Sequence, residues 1–341
     1  ARSMLEDPVA ELLPSVRALL DEAASRPQLD PSATVAELRA AADAGLIDLH
    51  RFVRGSDHVT THDLSVLGES LPGESVPVPV RLHVPADLGH EAKGPSGDGN
   101  GVGRLHVHLH GGGWWMGSIA TADPMCRELA AAMQVPVLSV DYRLAPEHPF
   151  PAGLDDVLGV LRWVATSPTE LVDLGFPVET VTLSGESAGA NLAASAALAL
   201  RDAGESLLRG VWLDVPAVDF TVPPTPSLEQ FGTGYGLEIA MLPLMGHWYF
   251  GGATPTDPRV SPQFGDLAGL PPFLVTTAEF DPLRDQGAAF VGSLRTAGVE
   301  VSTSCHEGHI HGSSWLTALD GYDHSWYEGV IRVVKSWHGV L

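Results

Sequence analysis

From Arg104 onward, short apolar runs and helical stretches take turns along the chain. "RLHVHLH" leads into helical spacing through "MCRELAAAM", then "VPVLSVDY", "LDDVLGVLRWVA", "ETVTLSG" and "AGANLAASAALAL". The rhythm resumes in "LRGVWLDVP", "PPFLVTTAE" and "VEVSTSCHEG" and closes on a helix in "YDHSWYEGVIRVVKSWHGV". Strands that are near-continuous apolar runs need apolar neighbours on both faces, which a parallel sheet covered by its own crossover helices supplies. The expected fold class is therefore α/β, with a mostly parallel central sheet and helices on both faces. A chain of 341 residues, 44% of them hydrophobic, can fill such a core.

Three stretches stand outside this rhythm. The first ~45 residues carry apolar positions at helical spacing, as in "VAELLPSVRALLDEAA" and "ATVAELRAAADAGLIDL", and predict two short helices ahead of the sheet. "DLSVLGE" and "ESVPVPVRLHVP" shift to a period of two and predict a hairpin of strands, followed by a Gly- and Pro-rich loop in "GHEAKGPSGDGNGVG". Between residues 216 and 262 a Pro-, Gly- and aromatic-rich insertion interrupts the alternation. The main unit is then 61–215 together with 263–341.

Charge narrows the partners. With 19 Lys and Arg against 42 Asp and Glu, a formal charge of −23 repels nucleic acid and anionic lipid, so a small neutral or apolar molecule is the expected partner. No apolar run approaches the ~20 residues a bilayer crossing needs, which argues against stable membrane association. Cys126 and Cys305 are the only cysteines and lack the spacing of a disulfide scaffold or a zinc ribbon, so a reducing, cytoplasmic location is expected.

The sharpest local signal is Gly185-Glu186-Ser187-Ala188-Gly189, set between a strand and a helix. A nucleophilic serine needs that setting: a tight turn presents the hydroxyl at a helix N-terminus, and small residues at both glycine positions let strand and helix pass closely. Serine also needs a base, and the base an orienting carboxylate. Asp281 follows the apolar strand of "PPFLVTTAEFDP", and His311 sits in the Gly-bounded loop of "CHEGHIHGSS". The chain order Ser187, Asp281, His311 is that of the α/β-hydrolase arrangement.

"HLHGGGWW" admits a phosphate loop, a metal site or an oxyanion-binding loop. No Gly-Lys-Ser/Thr follows the glycines and no dinucleotide fingerprint is present, which removes the first. For metal, His106, His108 and His110 share one strand face and His306, His309 and His311 cluster in sequence, but neither set gives His-Glu-x-x-His. The amides of Gly112 and Gly113, unobstructed by side chains, suit an oxyanion, with the amide of Ala188 as the third donor. On this reading His110 braces the loop, while His106 and His108 are core or sheet positions.

Five motifs together carry a resemblance. "HGGGW" at 110–114, "DYRLAPEHPFPA" at 141–152, "GESAG" at 185–189, "DPLRDQG" at 281–287 and "HIHG" at 309–312 resemble, in order and spacing, the hormone-sensitive-lipase family of bacterial α/β-hydrolase esterases. The resemblance implies an α/β-hydrolase fold whose helical cap comes from residues 1–60 and 216–262. It implies hydrolysis of short- to medium-chain or aromatic carboxylic esters with Ser187 as nucleophile, His311 as base and Asp281 as its orienter, without metal or cofactor. Asp285 is the weaker alternative to Asp281, Glu279 is an ordinary strand-end carboxylate, and Asp141, Arg143 and Glu147 form a supporting ion-pair and turn network. Trp114, Trp115, Phe231, Tyr235, Trp248, Tyr249 and Trp315 are the expected lining of an apolar cleft. Glu186 and Ser313 depart from the family, which has aspartate and an aromatic there, and so bear on pocket shape. A lactonase or amidase with the same machinery, or a non-catalytic binding relative, are the alternatives, and similar proteins allow a homodimer.

Overall fold

A computed structural model describes residues 11–25, 33–70, 74–86, 88 and 103–340. The loop expected in "GHEAKGPSGDGNGVG" lies, apart from Gly103, outside the described residues. Eight strands among those described form one sheet: β1 (Val59–Ser70), β2 (Glu74–Pro85), β3 (Gly103–Leu109), β4 (Val137–Val140), β5 (Val178–Glu186), β6 (Leu208–Asp214), β7 (Phe273–Phe280) and β8 (Val301–Ile310). Their order is β1-β2-β4-β3-β5-β6-β7-β8. β1 and β2 form the expected antiparallel hairpin, β2 joins β4 antiparallel, and β3 to β8 run parallel.

The helices are α1 (Pro14–Ser25), α2 (Val35–Asp48), α3 (Ile119–Met133), α4 (Ala152–Ala165), α5 (Thr169–Asp173), α6 (Ala188–Asp202), α7 (Pro226–Phe231), α8 (Leu242–Tyr249), α9 (Arg284–Thr296) and α10 (His324–Trp337). Successive strand residues face opposite sides of a sheet, and the core divides accordingly. Val211, Leu213 and Val275 join α4, α6 and α9 in one apolar cluster, while Trp212 and Leu274 join α3 and α10 in the other. Among the described residues no helix is long and apolar enough to cross a membrane.

α3 begins at Ile119, well ahead of the expected "MCRELAAAM". Ser118 and Thr121 close a capping box that starts the helix early, and the helix then runs through Pro124. The insertion between β6 and β7 contains α7 and α8. Four loops that leave carboxyl ends of parallel strands meet at one edge of the sheet: those after β3, β5, β7 and β8. Ligands of open α/β sheets bind at this edge.

Candidate active site

Ser187 occupies the single residue between β5 and α6, with φ 53° and ψ −111°. A non-glycine residue with positive φ carries backbone strain, so the surroundings must hold it there. They do so by close approach. A Cβ on Gly185 would lie 2.2 Å from the Gly189 carbonyl, and one on Gly189 would lie 2.2 Å from the Leu109 carbonyl oxygen. The Ser187 amide donates to the Asp214 carbonyl at the end of β6 at 2.9 Å.

The loop after β8 brings His311 to this turn. His311 Nε2 lies 2.8 Å from Ser187 Oγ, and Nδ1 lies 2.9 Å from Asp281 Oδ2. Asp281 is fully buried, and its second oxygen accepts the Leu283 amide at 2.8 Å, which fixes the carboxylate. With Nδ1–H donating to Asp281, Nε2 is left to accept the serine proton. Burial pulls the His311 pKa down, but the Asp281 charge and hydrogen bond, with Glu186 and Asp214 beyond, hold it above its ordinary value. Ser313, two residues on, takes the Ile310 amide at 3.0 Å and donates to the Ile310 carbonyl at 2.9 Å. Ser313, one of the two departures from the family pattern, thus tightens the turn presenting the imidazole.

On the other flank, Gly112 has φ 122° and Gly113 φ 57°. Trp115 and Met116 both return their amides to the Gly112 carbonyl, and a Cβ on Gly112 would come within 2.2 Å of the Met116 oxygen. Among the described residues, the amides of Gly112, Gly113 and Ala188 have no protein acceptor. His110 stacks on Tyr142 with centroids 4.3 Å apart, and the Tyr142 hydroxyl donates to the His110 carbonyl at 2.8 Å.

Ser187, His311, Gly112 and Gly113 line a cleft of about 390 Å³. Its walls are mostly apolar, with Leu20, Leu46 and Val53 from the N-terminal segment and Phe220, Leu242 and Met245 from the insertion. Of the aromatic residues expected to line it, Trp114 and Trp315 do. Trp115, Phe231, Tyr235, Trp248 and Tyr249 do not, their rings packing on neighbouring rings outside the cleft lining. Phe231 and Tyr235 pack on Phe280 at 5.4 and 6.0 Å, Trp115 meets Trp248 edge-on at 5.5 Å, and Tyr249 stacks on Trp114 at 4.6 Å.

The family described as the alpha/beta hydrolase fold matches residues 106–314. The chain belongs to this family. This alpha/beta hydrolase is 38% identical to the carboxylesterase NlhH of Mycobacterium tuberculosis over 213 residues, a match that spans 60% of the chain and 65% of NlhH. It is 30% identical to the esterase LipI of the same organism over 88% of the chain and 91% of LipI. The solved structure of a hyperthermophilic esterase from the archaeon Pyrobaculum calidifontis is similar with a TM-score of 0.83 and 33% identity, covering 96% of this chain and 99% of that one.

Other residues of this alpha/beta hydrolase take supporting positions. Glu279 accepts the Gly308 amide at 2.9 Å, and Asp285, in the first turn of α9, accepts the Ser227 amide at 2.8 Å. The expected network of Asp141, Arg143 and Glu147 is distributed rather than self-contained, each being held by a partner outside the motif. Arg143 engages Asp156, Asp141 accepts the Ile119 amide at the start of α3, and Glu147 is held by Arg39. His106 is buried between the Thr182 and Ser184 hydroxyls at 2.8 and 2.7 Å, His108 meets the same Ser184 hydroxyl at 2.7 Å, and burial lowers both pKa values, that of His108 to about 3. His306 is stacked between His309 and Trp326.

Three participants escaped the sequence reading. Asp214 is fully buried at the end of β6, accepts hydroxyls from Thr276 and Ser314, and has its pKa pushed up to about 6 by burial. A strand-end acid in "VWLDVP" was its only signal. The other two are Arg39 and Asp43 of α2, whose spacing of four reads as an ordinary intrahelical pair. Glu186 was visible as a departure, but its surroundings were not. A Cβ at Gly312 would meet its carboxyl at 3.0 Å and one at Gly111 at 3.2 Å, so it is wedged between the two loops. Burial pushes its pKa up to about 8.

Proposed function

We propose that this alpha/beta hydrolase is a serine carboxylesterase that cleaves small carboxylic esters through an acyl-enzyme. One observation carries the reading: a single imidazole lies 2.8 Å from a serine hydroxyl and 2.9 Å from a buried carboxylate, at the floor of an apolar cleft. The esterase names of relatives over most of the chain support it.

In the proposed cycle, Ser187 Oγ bonds to the ester carbonyl carbon while its proton passes to His311 Nε2. The carbonyl oxygen becomes an oxyanion within reach of the amides of Gly112, Gly113 and Ala188, reinforced by the α6 N-terminus. Collapse breaks the bond to the alkoxy group, which leaves with the proton from His311. Water then adds to the acyl-enzyme with His311 again as base, releasing acid and restoring the serine. Residues 1–60 and 216–262 act as the cap, since both supply cleft walls. A cleft of about 390 Å³ suits short- to medium-chain or aromatic esters better than long triglycerides. The free Cys126 and Cys305 fit a cytoplasmic enzyme.

The test uses a fluorophosphonate and p-nitrophenyl esters of increasing acyl length. Wild-type protein labels at Ser187 and turns over acetate to octanoate esters, whereas Ser187→Ala with unchanged circular dichroism does neither. Undiminished turnover by that variant would refute the nucleophile. Cleavage of lactones or amides in preference to esters would overturn the substrate class.

A further inference from the structure

None of the residues of α2 is buried, so apolar packing does little to fix this helix. Its directed contacts converge instead on the turn that carries Gly112 and Gly113. Arg39 Nε donates to the Trp115 carbonyl at 2.6 Å, and its Nη2 donates to the Ala145 carbonyl at 2.8 Å. The same guanidinium forks onto Glu147 at 3.1 and 2.5 Å. One helical turn on, Asp43 Oδ1 accepts the Gly117 amide at 2.8 Å. An Arg and an Asp four apart on a helix ordinarily serve each other. Here each reaches across to a backbone group of the same short turn.

That turn transmits what happens at its far limb. The amides of Trp115 and Met116 fold back onto the Gly112 carbonyl, and Gly117 packs so closely under Gly111 that a Cβ there would lie 2.5 Å from the Gly111 oxygen. Ala145, whose carbonyl Arg39 holds, also donates its amide to the Trp114 carbonyl at 2.9 Å. Residues 111–117 are therefore one closed unit, gripped from α2 at carbonyl 115 and amide 117. A shift of this unit turns the peptide planes at 112 and 113.

We propose that α2 is a positioning element for the oxyanion-binding turn, with Arg39 and Asp43 as positioning residues that hold the Gly112 and Gly113 amides in their working orientation. This rests on the reading of those amides as oxyanion donors. Because Leu46 of α2 also lines the cleft, the helix that forms part of the cleft wall is the helix that sets the turn.

The test compares Asp43→Ala, Asp43→Asn, Arg39→Ala and Arg39→Lys in the full chain. Misplacing a catalytic group by 1 Å costs up to ~10²-fold and losing an oxyanion donor ~10²–10³-fold. Asp43→Ala is expected to lower kcat about 10- to 100-fold with little change in KM, by the range those costs set. Affinity for a trifluoromethyl ketone, which forms an oxyanion on the serine, falls by the same factor, and Asp43→Asn, which keeps an acceptor oxygen, restores both. Hydrogen exchange across residues 110–118 rises in Asp43→Ala and returns in Asp43→Asn, a readout that needs no turnover. Unchanged exchange and unchanged kcat in Asp43→Ala overturn the proposal, as does an equal loss in Asp43→Asn. A kcat loss with no loss of ketone affinity also overturns it, by assigning the effect to general destabilisation. If Arg39→Ala fails to fold, the Asp43 pair decides alone. Absence of labelling in the wild type would sink the esterase reading, while exchange still tests the clamp.

Discussion

The Ser314 hydroxyl donates to the buried Asp214 carboxylate at 2.5 Å, tying the segment just after His311 to the end of β6. Because the Asp214 carbonyl also receives the Ser187 amide, one residue connects the loop of His311 to the turn of Ser187. Ser314→Ala leaves a buried carboxylate short of a donor, which typically costs about 1–3 kcal/mol. Urea unfolding should show a lower midpoint at unchanged slope. Since this hydrogen bond holds the Asp214 pKa down, its loss raises that pKa further. An unchanged midpoint would mean that Thr276 alone satisfies the carboxylate.

Asp281→Asn tests the role of the orienting charge. An amide nitrogen facing His311 Nδ1 donates to it and places the ring proton on Nε2, where it can no longer accept from Ser187. The analogous change in well-studied serine hydrolases lowers kcat by ~10⁴. Asp281 is also the main contributor raising the His311 pKa. A base must be neutral to act, so activity is lost as pH falls through this raised pKa. Removing the anion moves the acidic limb of the residual kcat/KM profile to lower pH. A limb that stays in place, measured from pH 4 to 9, counts against the Asp281–His311 contact.

Glu186 makes stability itself pH-dependent. Burial raises its folded pKa to about 8 from an ordinary value of 4.5, so the folded state holds a proton the unfolded chain releases. The stability from this group is complete below about 4.5 and is lost as pH rises through 8. Asp214 adds a similar slope that ends near 6, and His311, whose pKa is also raised, adds one of the same sign above that value, so the comparison with a non-titrating variant isolates the Glu186 share. The Tm of wild type should fall between pH 6 and 9 more steeply than that of Glu186→Gln, which does not titrate. Parallel curves would show that the carboxyl is reached by water.

What was legible in the sequence follows the range of the physics involved. The alternation that defines the sheet is written in each strand, and the Gly-Glu-Ser-Ala-Gly turn is a local steric requirement, so both read directly. The order of Ser187, Asp281 and His311 added a constraint that no single motif holds. Aromatic residues were less informative, because an apolar ring does not encode its partner. Phe231 and Tyr235 found Phe280 rather than the cleft. Arg39 and Asp43 were illegible for the opposite reason, since a plausible local partner hid long-range hydrogen bonds to Trp115 and Gly117. The early start of α3 was masked by Pro124, which reads as a boundary until Ser118 is seen to cap the helix.

Gly189→Ala adds one methyl group where two backbones already touch. Its Cβ would lie 2.2 Å from the Leu109 oxygen and 2.5 Å from the His110 oxygen, neither of which can yield by rotating a side chain. Relief requires α6 to retreat from the end of β3, and overpacking of this kind costs ~1–3 kcal/mol or more. The same retreat carries away Ser187 and the Ala188 amide, so kcat should fall by ~10² or more even where the fold survives. Gly329→Ala is the matched control. It lies inside α10 with open space around the added methyl group, and there the change should stabilise by roughly 0.5–1 kcal/mol through helix propensity. Tm and kcat measured on both variants should therefore move in opposite senses for stability, with turnover lost only at position 189. Equal turnover in the two would show that the close passage of α6 and β3 is not what holds Ser187 in place.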